Sequence, residues 1–443
     1  MAEVCSRWRK IALSTPQLWA VITIYNPLPT KALIDLLPVH LERSREALLD
    51  VEVDTQGFAG PNADASQRLL GILEPHSYRI RRLKLHYLDG NVWERFRLDR
   101  AETTRNLECL EFRAWGSNHL LDNIRKSSFP RLTSLAILDI HSIIAKAHFP
   151  WHQLLTLYYD IHSIQAATFS DVLQECNRLT SLTICVRSRV GESDIPSRLR
   201  SGIMVQLDSL TSLTLRVAKG PGRTRGVMEV LSILSSGASL TSLSIEGIFS
   251  LAEFQQADEA EGEFLDALME FLRRSKRIES ITRLKVNDIL ADSDVIGLLL
   301  SLPALRSFEF SELKLAPASS QQGLSKLDRQ SLVLTWMGEC FSQGERAEEG
   351  VTAILSRLEE LFIAVSKSWY EADKLLAGFT SIVHSRPCLH SAVVMVPGPM
   401  LPDAIANEAR EHLDRLEMLQ ATRSTAIKVL RDSEILLGMG RLA

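Results

Sequence analysis

The tetrapeptide Leu-Thr-Ser-Leu occurs four times in this chain, at residues 132–135, 179–182, 210–213 and 240–243, each time ahead of an alternating apolar run. A unit that recurs in this way is one supersecondary element that cannot bury its apolar face alone, so it must stack on copies of itself. The fuller pattern, L-x-x-L-x-L, opens at Ile80, Leu107, Leu132, Leu154, Leu179, Leu210, Leu240, Ile281, Leu305, Leu358 and Leu389. From Ile80 to Leu179 the spacings are 27, 25, 22 and 25 residues; they then lengthen to 31, 30 and 41, and Leu358 follows Leu305 by 53. An irregular solenoid is expected, in which the strand core stays constant while the connections grow.

Side chains alternate along a strand, so in residues 210–216 Leu213 and Leu215 share one face and Thr214 and Arg216 the other. Segments 169–176, 226–235, 263–274 and 293–302 carry apolar residues three and four apart, which predicts an amphipathic helix after each strand. Parallel strands require such crossovers. One position per repeat on the open face yields Lys84, Glu111, Tyr158, Thr183, Arg216, Glu246, Lys285 and Glu309 as the candidate partner-binding row. Its mixed sign argues against a nucleic-acid stripe and fits a protein partner, where scattered charges set register and an aromatic such as Tyr158 anchors.

This unit resembles the leucine-rich repeat, and the resemblance implies an α/β solenoid with a curved parallel sheet inside and helices outside. The family's asparagine, whose side chain holds each bend, has no consistent counterpart: Trp115, Ile140, Arg187 and Asn287 occupy that region. The bends must be held by other groups.

Composition suits a folded chain. Of 443 residues 45% are hydrophobic and 23% charged, with a net charge of −4, which provides no global attraction to nucleic acid or an acidic membrane. Cys5, Cys109, Cys176, Cys185, Cys340 and Cys388 form no C-x-x-C pair, and no N-x-S/T acceptor occurs. Arg7, Trp8, Arg9 and Lys10 stand where a signal peptide needs an apolar core, and no window is apolar enough to span a membrane, so a cytosolic or nuclear location is expected.

In residues 1–25, Val4, Trp8 and Ile11, with Cys5 and Ala12 beside them, share one helical face against Arg7, Arg9 and Lys10. Ser14-Thr15-Pro16 ends that helix and opens a new turn carrying Leu18 and Trp19. Burying each large apolar side chain is worth about 1.5–3 kcal/mol, so Trp8, Ile11, Leu18 and Trp19 are expected to pack on a partner or on the first repeat. From spacing alone, the helices cap a free-standing repeat scaffold.

The run V-C-x-x-W-x-x-x-A-L-S-T-P-x-L-W closely resembles the back half of the F-box of large fungal families. Val4, Cys5, Trp8, Ala12, Leu13, Ser14, Thr15, Pro16, Leu18 and Trp19 carry the match; the family's opening L-P-x-E helix has no counterpart, and Met1 falls inside the motif. The resemblance implies docking on the Skp-type adaptor of a cullin-RING ubiquitin ligase through Trp8, Ile11, Leu18 and Trp19. The repeats would then recruit a target protein, which the sequence does not identify.

The expected organisation is partial F-box helices at 1–25, the repeat solenoid at 26–400 with an insertion at 316–357, and a helical cap at 401–443. Within it, helices are expected at 40–49, 65–74 and 369–384 and strands at 49–54, 82–86 and 392–396, with a capping box at 368–371. Catalytic signals are sparse. His148 and His152 flank Pro150 without the HExxH glutamate, the glycine-rich loop at 219–226 lacks a GK[ST] ending, and there is no G-x-S-x-G elbow. The chain reads as non-enzymatic, with no catalytic residue, metal or cofactor.

Overall fold

The computed structural model describes residues 6–25, 31–54, 63–86, 101–113, 129–140, 149–161, 166–186, 204–218, 223–236, 239–248, 261–275, 278–287, 297–299, 301–312, 357–365, 376, 379–380, 382–384, 388–396, 414–420 and 426–431. These residues form a mixed α/β protein built on parallel sheet, and the chain divides into two units, Met1–Leu210 and Thr211–Ala443.

In the first unit the order is α1 (Ser6–Ser14), β1 (Val21–Tyr25), α2 (Lys31–Ser44), β2 (Leu49–Asp54), α3 (Ala63–Leu73), β3 (Ile80–His86), α4 (Ala101–Thr104), β4 (Cys109–Arg113), β5 (Ser134–Ile140), β6 (Thr156–Ile161), α5 (Ala166–Glu175) and β7 (Ser181–Val186). The strands pair in chain order and all in parallel. The second unit repeats the scheme with β8 (Ser212–Ala218), α6 (Arg223–Ile233), β9 (Ser242–Ile248), α7 (Glu261–Arg274), β10 (Arg283–Asn287), β11 (Ser307–Glu312), β12 (Glu360–Val365), β13 (Ser391–Val396) and β14 (Ala426–Arg431). These strands too are parallel neighbours in chain order.

The expected alternation decides what is buried. Leu110 and Phe112, Leu182 and Ile184, Leu213 and Leu215, and Leu243 and Ile245 are all buried, as are Phe169, Val172 and Leu173 of α5 in the first unit and Phe264, Leu268, Phe271 and Leu272 of α7 in the second. Spacings of three and four along each helix put those residues on one stripe.

The tetrapeptide itself has a hydrogen-bonding explanation. The opening leucine of the repeat closes a tight turn onto the residue three before it: Leu132 N–H donates to Phe129 O, Leu154 to Trp151 O, Leu179 to Cys176 O and Leu210 to Leu207 O. The next two N–H groups then converge on one carbonyl of the preceding repeat. Thr133 and Ser134 donate to Glu108 O, Leu155 and Thr156 to Thr133 O, and Thr180 and Ser181 to Leu155 O, at 2.8–3.0 Å. In the second unit Thr241 and Ser242 do the same to Thr211 O, and Thr282 and Arg283 to Thr241 O. The threonine hydroxyl adds a third donor, from Thr180 Oγ1 to Leu155 O at 2.9 Å and from Thr241 Oγ1 to Thr211 O at 3.3 Å. Gln153 Nε2 bonds Phe129 O at 2.7 Å and Leu132 O at 2.9 Å, and Asn106 Nδ2 bonds Tyr78 O at 2.7 Å. The backbone polar groups at these bends are thus satisfied without a recurring asparagine.

Three expectations need correction. Residues 21–25 are not helical but form β1, because Ile22 and Ile24 alternate into the core while Val21 and Thr23 stay exposed. The helix expected at 40–49 runs instead from Lys31 to Ser44 with Pro38 inside it; that ring is exposed, so the helical bond it removes lies on the watered side. It stops at Arg45, whose φ of 48° is the left-handed conformation that terminates helices. The segment 401–443, expected to be a helical cap, holds a helical stretch at 414–420 but also β14, which pairs with β13 and buries Ile427. The capping box at 368–371 and, apart from Arg357, the insertion at 316–357 lie outside the described residues.

Candidate functional site

Two surfaces carry the candidate residues: the open strand face and the N-terminal helix. On the face of the first unit, Glu52, Lys84, Glu111, Ala136, Tyr158 and Thr183 fall opposite one another in register. The expected row therefore exists here. Lys84 Nζ lies 3.8 Å from Glu52 and 3.7 Å from Glu111, and His86 Nε2 lies 2.9 Å from the other Glu111 oxygen. Next to the row, Arg81 donates to both oxygens of Asp50, at 3.1 and 2.9 Å.

Glu111 is the electrostatic hub. Burial pushes its carboxyl up, but the hydrogen bond from His86 and the charges of Lys84, His86 and Arg113 outweigh burial and hold it below the usual carboxylate range. A lowered folded value means that ionised Glu111 stabilises the fold at neutral pH, and that this contribution disappears as pH falls through the folded value. Glu111→Gln is therefore expected to be less stable than wild type at pH 7, with the gap closing on acidification below about pH 5; urea midpoints across pH check the crossover.

In the second unit the expected row splits in two. Arg216 lies opposite Glu246, but the residue opposite Lys285 is Ser244, and Lys285 in turn faces Glu309. Arg216 and Glu246 stand six residues after the opening leucines Leu210 and Leu240, whereas Lys285 and Glu309 stand four after Ile281 and Leu305, one alternation earlier on the same face. Ion pairs still connect the rows. Arg216 Nε is 2.8 Å from Glu246 Oε2, and Lys285 Nζ is 3.8 Å from Glu246 Oε1 and 3.0 Å from Glu309 Oε1. Ser244 Oγ donates to Glu246 Oε1 at 3.2 Å.

These charges are one another's partners. Such cross-strand pairs are worth about 0.2–1 kcal/mol each and leave little net field, so the face presents a polar, nearly neutral surface. Continuing from Glu309, the row passes to Phe362 and then Val393, both half-buried. Each stands four residues after an opening leucine, Leu358 and Leu389, as Lys285 stands after Ile281, although neither is in the row named from the sequence. The periodicity alone was enough to find them.

The N-terminal segment behaves differently from its neighbours. Helix α1 buries no residue: Trp8 is 66% exposed, Ile11 42%, Leu13 43% and, on the following turn, Leu18 61%. Trp19, grouped with them from the motif, turns inward instead. Its indole N–H donates to Ala12 O at 2.7 Å, its ring meets His40 edge-on at 5.1 Å, and the Arg43 guanidinium lies 4.4 Å above it. Leu13 belongs with the outward set.

The catalytic leads do not converge. His148 and residues 219–222 lie outside the described residues, residues 223–226 of the glycine-rich loop open α6, and His152 is exposed. Burial, with the Glu175 charge beside it, pushes the Cys176 thiol up to about 12, far from the thiolate a nucleophile requires. Among the described residues no group of His, Cys, Asp and Glu is placed to hold a metal ion, and no helix is long and apolar enough to cross a membrane. No protein-family model matches the sequence, and no curated protein matches it either.

Proposed function

We propose that this chain is a non-catalytic substrate-recognition subunit of a Skp–cullin–F-box ubiquitin ligase: α1 docks on the Skp-type adaptor, and a leucine-rich-repeat-like solenoid holds a target protein on its strand face. The observation that carries the reading is the exposure of α1. A helix that leaves Trp8, Ile11 and Leu13 in water forgoes about 1.5–3 kcal/mol per side chain, and burial against a partner recovers it. The resemblance of residues 4–19 to the F-box names the partner, and the parallel strands pairing in chain order support the solenoid.

The test is binding of the purified protein to a purified Skp-type adaptor. Trp8→Ala and Leu18→Ala are each expected to weaken binding by about tenfold or more, as anchor residues do, while the thermal midpoint stays unchanged because neither side chain is packed. Absence of adaptor binding by the wild-type protein sinks the proposal. A free-standing repeat scaffold gives the opposite signature, with no adaptor retained and Trp8→Ala lowering the midpoint.

A further inference from the structure

We infer that Trp19 is a latch that fixes the pose of α1 on the first repeat, rather than a contact to the partner. That α1 then meets an adaptor rests on the reading above; the latch itself does not.

A helix of nine residues is marginal in water, since nucleation is costly and short segments recover few bonds. Helix α1 has no buried residue to compensate, and its first turns carry Arg7, Arg9 and Lys10 with no acid, the wrong sign for a helix N-terminus. Its C-terminal end is better provided. Ser14 Oγ donates to Ile11 O at 3.1 Å and Thr15 Oγ1 to the same carbonyl at 2.7 Å, which closes the last turn locally. Neither bond reaches the rest of the protein.

Trp19 does. Its indole N–H donates to the Ala12 carbonyl at 2.7 Å, near the end of α1, where Thr15 N–H also donates at 3.4 Å. The same ring is seated on α2, edge-on to His40 at an interplanar angle of 71° and beneath Arg43. His40 and Arg43 are three residues apart and so lie on one face of α2, beside the stripe formed by Leu37 and Leu41, which are buried in the core. The path from α1 to the core is thus a carbonyl, an indole, an imidazole with a guanidinium, and a packed helix. An indole suits this position because one edge donates a hydrogen bond while its faces accept packing and a cation. By holding α1 ordered before any partner arrives, the latch removes the ordering cost from binding.

Limited trypsin digestion of the full chain tests the latch without an adaptor, because Arg7, Arg9 and Lys10 lie on α1 and cleavage there reads local opening. Trp19→Ala is expected to speed cleavage at these sites about tenfold or more. Trp19→Phe, which keeps a ring but loses the N–H, falls between wild type and Trp19→Ala. Arg43→Ala, which lies on α2 and removes only the cation over the ring, speeds cleavage as well, and Leu18→Ala leaves the rate unchanged. A Trp19→Ala rate within about threefold of wild type overturns the latch, and so does an unchanged Arg43→Ala rate. If cleavage responds as expected but no adaptor binds, the ligase reading fails and the latch stands.

Discussion

Phe149→Ala is expected to lower the stability of the first unit by about 3–5 kcal/mol. Phe149 is fully buried and joins three other rings, with centroids 6.1 Å from Phe112, 5.7 Å from Phe129 and 5.3 Å from Trp151. Those rings come from three successive repeats: Phe112 from β4, and Phe129 and Trp151 from the tight turns that Leu132 and Leu154 close. Alanine removes the shared centre and leaves a cavity whose walls are rigid aromatic faces, which collapse poorly. Phe149→Leu keeps most of the volume and should cost less than half as much. The urea midpoints of the two variants, at unchanged slope, check the ordering. A loss under about 1 kcal/mol for Phe149→Ala shows that the cluster is not a core.

Arg79→Met is expected to cost about 2–4 kcal/mol although it preserves volume and removes a buried charge. Arg79 is 3% exposed, and its guanidinium donates to Ala47 O at 3.1 and 2.9 Å and to Ser44 Oγ at 2.7 Å. It thereby closes the C-terminal end of α2, where free carbonyls and the helix dipole favour a cation. Methionine leaves the Ala47 carbonyl without these donors and the buried Ser44 hydroxyl without its cation. Arg79→Lys restores charge but not the fork, so it should recover only part of the loss. A second readout is His76. Burial and the Arg79 charge, against a smaller opposing effect of Glu46, hold its pKa below the ordinary histidine value. Removing Arg79 should therefore raise it, which NMR titration of the ring protons measures. Arg274 is built the same way in the second unit, donating to Leu231 O and Ser232 O at 2.7 Å at the end of α6.

Much of this architecture was legible as periodicity. The alternation within each repeat placed the buried leucines, and spacings of three and four placed α5, α6 and α7, because both signals are local and a strand or helix of either period has one face to bury. The role of the tetrapeptide's threonine was not legible, since its hydroxyl and N–H meet a carbonyl of the preceding repeat about 25–30 residues away along the chain. The candidate face was half legible: Lys84, Glu111, Tyr158 and Thr183 share one row, whereas Arg216 and Glu246 lie two residues beyond the position that Lys285 and Glu309 occupy.

At the N-terminus, residues 6–19 spell out a helix, a proline turn and five large apolar side chains, and nothing in their spacing separates Trp8 from Trp19. What separates them is α2, which brings His40 and Arg43 against one indole and leaves the other in water. Local pattern thus sets which segments become strand or helix and which way their side chains alternate. Which polar groups find partners, which strands pair in which register and which apolar surface stays open depend on contacts between residues far apart in the chain, and those exist only once the repeats have stacked.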